Sequence, residues 1–203
     1  LTAIKTHLQV ARRLEGSAAM ESLNHAEEGV GRLNSTLDQL LILARVEGRI
    51  RFDDGEASYV AEVAENAIAD THEPHLERFV LPPRWPEATL AMPRELAVTA
   101  LRNLLDNDLR HGSSDMPITL DVQWEPGESF LTFIVSDQGP GVDEATLKQI
   151  TQRFWRASKQ QGSGLGLAIV TAIAERFGGE VTFASPAEGG FTARLVVPVS
   201  KPK

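Results

Sequence analysis

Cysteine is absent from the 203 residues. That excludes disulfides and thiolate metal sites and is compatible with a reducing compartment. No stretch approaches the roughly 20 consecutive apolar residues of a membrane-spanning helix. No basic, apolar and small-residue zones of a secretory leader are visible at the start. A basic excess is missing too. The net charge is −8, whereas nucleic-acid-binding surfaces carry an excess of Lys and Arg, so nucleic acid is not an expected partner. Acidic and basic side chains balance over the first fifty residues, and the whole acidic excess lies beyond them. With 42% hydrophobic residues the chain still has enough apolar material for a core.

What is present divides into two parts. In the first fifty residues Leu23, Ala26, Val30, Leu33, Leu37, Leu40 and Ala44 recur at alternating spacings of three and four. This heptad seam suits a coiled coil or helical bundle. Leu1, Ile4, Leu8 and Ala11 form a shorter stripe, and Glu15-Gly16-Ser17 breaks the two apart, which predicts an αα-hairpin. Leu1 opens inside the periodic pattern with no cap ahead of it. The chain is therefore expected to be a fragment with a shortened first helix, and any membrane spans are expected upstream.

Beyond about residue 50 the pattern changes to mixed strands and helices. A loop is expected at Phe52-Asp53-Asp54-Gly55, then a helix over about Val60 to His72 and short strands at Phe79–Leu81 and Thr89–Met92. Pro93 opens a helix running to about His111. Strands Ile118–Trp124 and Phe130–Ser136 follow, then a loop-rich stretch with short helices. A helix over Leu165–Phe177 ends at Gly178-Gly179, and strands Glu180–Ser185 and Phe191–Val199 flank Glu188-Gly189-Gly190. The expected fold class is α+β, a two-layer sandwich of a mixed sheet with helices on one face, preceded by a helical hairpin. The expected division is a hairpin over 1–50 and a second domain over 51–203.

Three segments carry chemistry. On the Pro93–His111 helix, Asn103, Asn107, Arg110 and His111 share one sector, opposite Val98, Leu101, Leu105 and Leu109. Carboxamide oxygens suit Mg²⁺ and a guanidinium suits phosphate, although a solvated polar face would read the same. Asp137-Gln138-Gly139-Pro140-Gly141 follows a strand. Its carboxylate can accept from an exocyclic amine and its glycines allow close approach, as an ordinary turn also would. Gly162-Ser163-Gly164-Leu165-Gly166-Leu167 opens a helix whose free N–H groups can hold an anion. It matches neither the dinucleotide fingerprint nor the P-loop.

The order and spacing of these segments resemble the nucleotide-binding fold of histidine kinases, heat-shock chaperones, type II topoisomerases and mismatch-repair ATPases. In detail the chain resembles sensor histidine kinases. The run Asn103 to His111 is similar to their N box and Asp137 to Gly141 to a first glycine box. Arg153-Phe154-Trp155-Arg156 is similar to their F box and Gly162 to Leu167 to a second glycine box. The resemblance implies ATP and Mg²⁺ as ligands. Asn107 would ligate Mg²⁺, with Asn103 on the phosphates or the metal. Arg110 and His111 would approach phosphates and sugar. Asp137 would read the adenine amine, with room given by Gly139 and Gly141. Phe154 would anchor a lid, Arg156 would reach the γ-phosphate, and Gly162, Gly164 and Gly166, with Leu165 and Leu167 in the same box, would form the lid hinge and phosphate cradle.

The resemblance further implies a homodimer through the hairpin and a response-regulator receiver domain as partner. It implies a cytoplasmic portion of an inner-membrane sensor, with membrane contact only through missing N-terminal segments. Leu-Thr-Ala-Ile at the start looks like the residues just after the family's phosphoacceptor segment, which places that His outside this chain. His7 and His25 sit in a different context and are expected on the helix surface or in the core, while His72 and His75 are expected on the surface. A chaperone-type ATPase and a degenerate nucleotide-binding module are the competing readings. The heptad hairpin and F box speak against the first, while Asp108 keeps the second open. Asp108 stands where the family usually has Ala, on the apolar side of its helix. A buried carboxylate there is expected to weaken the fold or nucleotide binding unless it finds a partner.

Overall fold

The computed structural model describes residues 2–48, 50, 58–71, 76–155, 163–186 and 189–200. The 52–55 loop, His72, His75, Arg156, Gly162 and Glu188 lie outside the described residues.

The apolar stripes become two antiparallel helices, α1 (Thr2–Ala11) and α2 (Ser17–Glu47), turning at Gly16, whose φ of 65° favours glycine. The helices pack closely. A Cβ on Gly29 would lie 2.6 Å from Ile4 Cγ1, so glycine is what lets α1 approach. Ser22 Oγ donates to the His7 carbonyl at 3.1 Å, and the His7 and His25 rings sit 5.3 Å apart. The rest of the seam finds no cover within the described chain. Leu23, Val30, Leu33, Leu37 and Leu40 are exposed, whereas Leu43 and Val46 near the end of α2 enter the main core.

The second part starts with β1 (Ser58–Tyr59) and α3 (Val60–Ala69), which ends earlier than the sequence pattern predicts. Asp70 caps it, and Thr71 Oγ1 bonds back to the Ile68 carbonyl, closing the last turn. A single 3₁₀ turn over Leu76–Arg78 precedes β2 (Phe79–Val80), followed by β3 (Thr89–Leu90) and α4 (Arg94–His111). Then come β4 (Ile118–Gln123), β5 (Phe130–Asp137), the short α5 (Glu144–Leu147), α6 (Gly166–Arg176), β6 (Glu180–Ala184) and β7 (Phe191–Pro198).

Five strands form one mixed sheet in the order β2-β4-β5-β7-β6, parallel only between β2 and β4. β1 and β3 pair separately and antiparallel. Alternation decides which face is covered. Leu131, Phe133, Val135 and Asp137 of β5 are buried, as are Phe191, Ala193, Leu195 and Val197 of β7, while the residues between them are not. The buried rows meet α4 and α6, with α3 packed beside α4 in the same core, so the expected sandwich with helices on one face is present. The same alternation carries Asp137 to the helix-facing end of β5. On α4 the sheet-facing row is Ala97, Leu101, Leu104 and Asp108, spaced four, three and four, and all four are buried. Strand parity and helical periodicity thus bring two carboxyl groups toward one corner.

Candidate nucleotide site

That corner is formed by the last turns of α4, the loop after β5 and the start of α6. Asn103 is buried and its Nδ2 donates to the Thr99 carbonyl at 2.8 Å. Its Oδ1 lies against the first residue of α6, where a Cβ on Gly166 would come within 2.9 Å of it. Glycine at 166 therefore allows the N-terminus of α6 to close on α4. Asn107, one turn further, is half-buried and its Nδ2 reaches Asp108 Oδ1 at 3.4 Å. Arg110 and His111 are exposed on the final turn.

Asp137 Oδ1 accepts from the Gly139 N–H at 2.5 Å, which closes the loop after β5 into an Asx turn. The two glycines of this box have separate reasons. A Cβ on Gly139 would lie 2.8 Å from Gly112 Cα, so the loop presses onto the end of α4. Gly141 has φ 70°, and a Cβ there would meet Ser185 Oγ at 2.5 Å and the Gly190 carbonyl at 2.9 Å. The Gly190 N–H donates to the Gly139 carbonyl at 2.8 Å, and Ser185 Oγ donates to the Gly190 carbonyl while accepting from Val142. Gly112, Ser185 and Gly190 were missed in the sequence reading. Only Gly189-Gly190 carried a signal, as turn residues between two strands.

Phe154 and Gly164 meet at the backbone. Phe154 has φ 61°, is exposed, and its N–H donates to the Gly164 carbonyl at 2.9 Å. Gly164 has φ 71°, and a Cβ on it would lie 2.8 Å from the Phe154 carbonyl carbon. The F box and the second glycine box are therefore joined backbone to backbone. Leu165 is fully buried and Leu167 packs against the core, so both anchor the helix start from within. Ser163 Oγ accepts from the Leu165 N–H at 3.1 Å and donates to Gln39 of α2 at 2.5 Å.

Asp108 is 0% exposed, as its place on the apolar row requires. Its Oδ2 is buried with no hydrogen-bond partner among the described residues. Burial holds this carboxyl well above the usual carboxylate range, the Asp137 charge pushes the same way, and the Asn107 amide offsets part of the rise.

The donor set fits a nucleotide with Mg²⁺. It combines two carboxamides on one helix face, a carboxylate held by a glycine turn, and a helix start that comes up close against the Asn103 amide. Among the described residues no cluster of three or more His, Cys, Asp or Glu could hold a metal by itself. The carboxamide oxygens of Asn103 and Asn107 would share an ion with oxygens from the nucleotide or water.

Comparison with known proteins gives the family. Residues 93–201 match the family model for the histidine kinase-, DNA gyrase B- and HSP90-like ATPases, and the chain belongs to that family. The Salmonella typhi sensor protein QseC is 32% identical over 95% of this chain and 43% of its own length. The Pseudomonas aeruginosa sensor protein kinase PmrB is 28% identical over all of this chain and 43% of its own. The chain thus spans less than half the length of these relatives. In fold it is similar to the Acinetobacter baumannii histidine kinase AdeS, with a TM-score of 0.74 over 98% of this chain and 95% of the other, at 18% identity. Full-length ShkA, solved in complex with AMPPNP, matches with a TM-score of 0.67 and 19% identity, over 98% of this chain and 43% of its own.

Proposed function

We propose that the chain is the ATP-binding catalytic core of a two-component sensor histidine kinase, joined to part of its dimerisation hairpin. The observation that carries this reading is the closure of α6 on Asn103, with Asn107 one turn further along α4 and Asp137 at the end of β5. Family membership and similarity to sensor kinases along the whole chain support it.

Under this reading Asn107 Oδ1 ligates Mg²⁺ and the Asn103 carboxamide contacts the phosphates or the metal. Arg110 and His111 line the phosphate and sugar side, Asp137 accepts from the adenine amine, and the start of α6 faces phosphate. Magnesium neutralises phosphate charge when bound, and the protein supplies positioning and hydrogen-bond donors. The β–γ bridging P–O bond breaks, a P–N bond forms to an imidazole of the parent's acceptor histidine, and ADP leaves. The phosphoryl group then passes to a carboxylate on a response-regulator receiver domain. The exposed α2 seam pairs with a second copy. No helix among the described residues is long and apolar enough to cross a membrane, and we assign the chain to the cytoplasmic side of an inner-membrane sensor.

Extending the chain upstream through the parent's acceptor segment tests the reading. Incubation with γ-labelled ATP and Mg²⁺ is expected to give acid-labile, base-stable label that Asn107→Ala loses. Label absent under all conditions, with nucleotide still bound, would favour a nucleotide-binding module without kinase activity. The buried Asp108 Oδ2, which has no hydrogen-bond partner among the described residues, is the observation that favours this second reading.

A further inference from the structure

Helix α6 touches the candidate nucleotide site at one end and the hairpin at the other. Its first residue, Gly166, lies against Asn103. In its last turn, Arg176 reaches across to the end of α2. Nη1 donates to the Arg45 carbonyl at 2.9 Å and to the Val46 carbonyl at 2.8 Å, and Nη2 donates to the Ile50 carbonyl at 2.6 Å.

These acceptors lie where helix geometry leaves carbonyls without intrahelical donors. The Gly48 N–H turns back to Ala44 and Val46 and the Ile50 N–H to Arg45, so the guanidinium adds a second donor to the Arg45 and Val46 carbonyls and reaches Ile50 beyond the helix end. A cation is favoured there by the negative end of the helix dipole, and a planar fork of donors suits several carbonyls better than a single ammonium. The guanidinium carbon also lies 5.6 Å from the Phe177 ring centroid, which holds the side chain from below. Leu43 and Val46 bury the adjacent turn in the core cluster. Further polar ties run beside it, from Ser163 Oγ to Gln39 and from the Arg153 guanidinium to Glu47.

We infer that Arg176 is a positioning residue, a C-terminal cap supplied to α2 by α6 of the same chain, that fixes the pose of the nucleotide-binding layer against the hairpin. Hydrophobic burial of Leu43 and Val46 is non-directional and tolerates rotation. The three carbonyl bonds are directional and hold only while the last turn of α2 stays helical and in register. A change in that turn would therefore release or redirect α6, and with it the Gly166–Asn103 closure. The consequence for phosphoryl transfer rests on the kinase reading, but the positioning itself does not.

The test uses the complete chain, which has no native cysteine. Ser35 on α2 and Ser129 at the far end of the sheet are exposed and make no side-chain hydrogen bond among the described residues, so both are replaced: Ser35→Cys and Ser129→Cys. Both are spin-labelled, and an excess of unlabelled chain restricts the signal to intrachain pairs. One narrow distance peak is expected with Arg176 present. Arg176→Ala is expected to broaden it at least twofold, with Arg176→Lys between the two. The near-ultraviolet dichroism of Trp85, Trp124 and Trp155, all packed on the core, is expected to stay unchanged. An unchanged peak in Arg176→Ala overturns the inference, as does a broad peak in the unsubstituted chain. Broadening accompanied by loss of the tryptophan signal also overturns it, because Arg176 would then be holding the core itself. Neither readout depends on nucleotide, so failure of the kinase reading remains separable.

Discussion

Helices α2 and α4 follow the same periodic rule and end in opposite situations. Of the 31 residues of α2 only Ser22, Ala26, Leu43 and Val46 are buried, while ten of the 18 in α4 are. The difference lies in what each helix is offered to pack against. α4 lies under a twisted sheet and between α3 and α6, so its apolar row is consumed within the chain. α2 is offered one ten-residue helix near its start and the edge of the core near its end. Between them Val30, Leu33, Leu37 and Leu40 face outward over several turns. A periodic seam therefore marks a surface that will be covered, without saying by which chain.

Substitutions can break or sharpen this contrast. Leu104→Ala, at 0% exposure on α4, is expected to cost about 2–5 kcal/mol, read by denaturant unfolding. A cost under 1 kcal/mol would mean the α4 row is less well packed than its burial implies.

Asp108→Ala acts on the same row in the opposite direction, and a gain of about 1–3 kcal/mol is expected in nucleotide-free protein. Its pH dependence has a definite sign. The native carboxyl keeps its proton to higher pH than in the unfolded chain, where Asp titrates near about 3.9. The native state binds more protons between the two values, so stability is lost as pH rises through that window. The advantage of Asp108→Ala is expected to grow as pH rises above about 4, as melting curves would report. An advantage that shrinks with pH would mean Asp108 is ionised and paired.

Gly141→Ala places a side chain at φ 70° against Ser185 and Gly190, with an expected cost of about 1–3 kcal/mol in melting experiments. A neutral result would show that the loop after β5 can move aside. Leu33→Ala on the open seam of α2 is expected to change monomer stability by under about 0.5 kcal/mol. Its effect should appear in sedimentation across a concentration series, as weaker self-association by about tenfold, which is about 1.4 kcal/mol. Unchanged association would mean that the seam is covered by something other than a second copy.

How much was legible in advance follows the same division between local and long-range information. The αα-hairpin break at Gly16, the span of α4 after Pro93 and the stop of α6 before Gly178 rest on residues adjacent in sequence. These were read to within a residue or two. The over-long end of α3 failed because Thr71 uses its hydroxyl to close the turn, a choice that apolar spacing does not encode. Burial of Asp108 was readable from its spacing to Leu101 and Leu104. Its approach to Asp137 needed the α4–β5 crossing. Gly139 and Gly141 were assigned to making room for a ligand, yet the structure gives them close approaches to Gly112, Ser185 and Gly190 as well. The Arg176 cap on α2 was invisible, since an Arg in a last helical turn is common and its acceptors lie more than a hundred residues away.

The central claim is that α4, the loop after β5 and α6 form a magnesium-dependent nucleotide site. The most direct measurement is calorimetric titration of the chain with ADP and ATP, with and without Mg²⁺, beside Asn107→Ala. The account predicts binding that requires Mg²⁺ and weakens by about tenfold or more in the variant, about 1.4 kcal/mol or above. No binding at millimolar nucleotide, both in the unsubstituted chain and in Asp108→Ala, would contradict it.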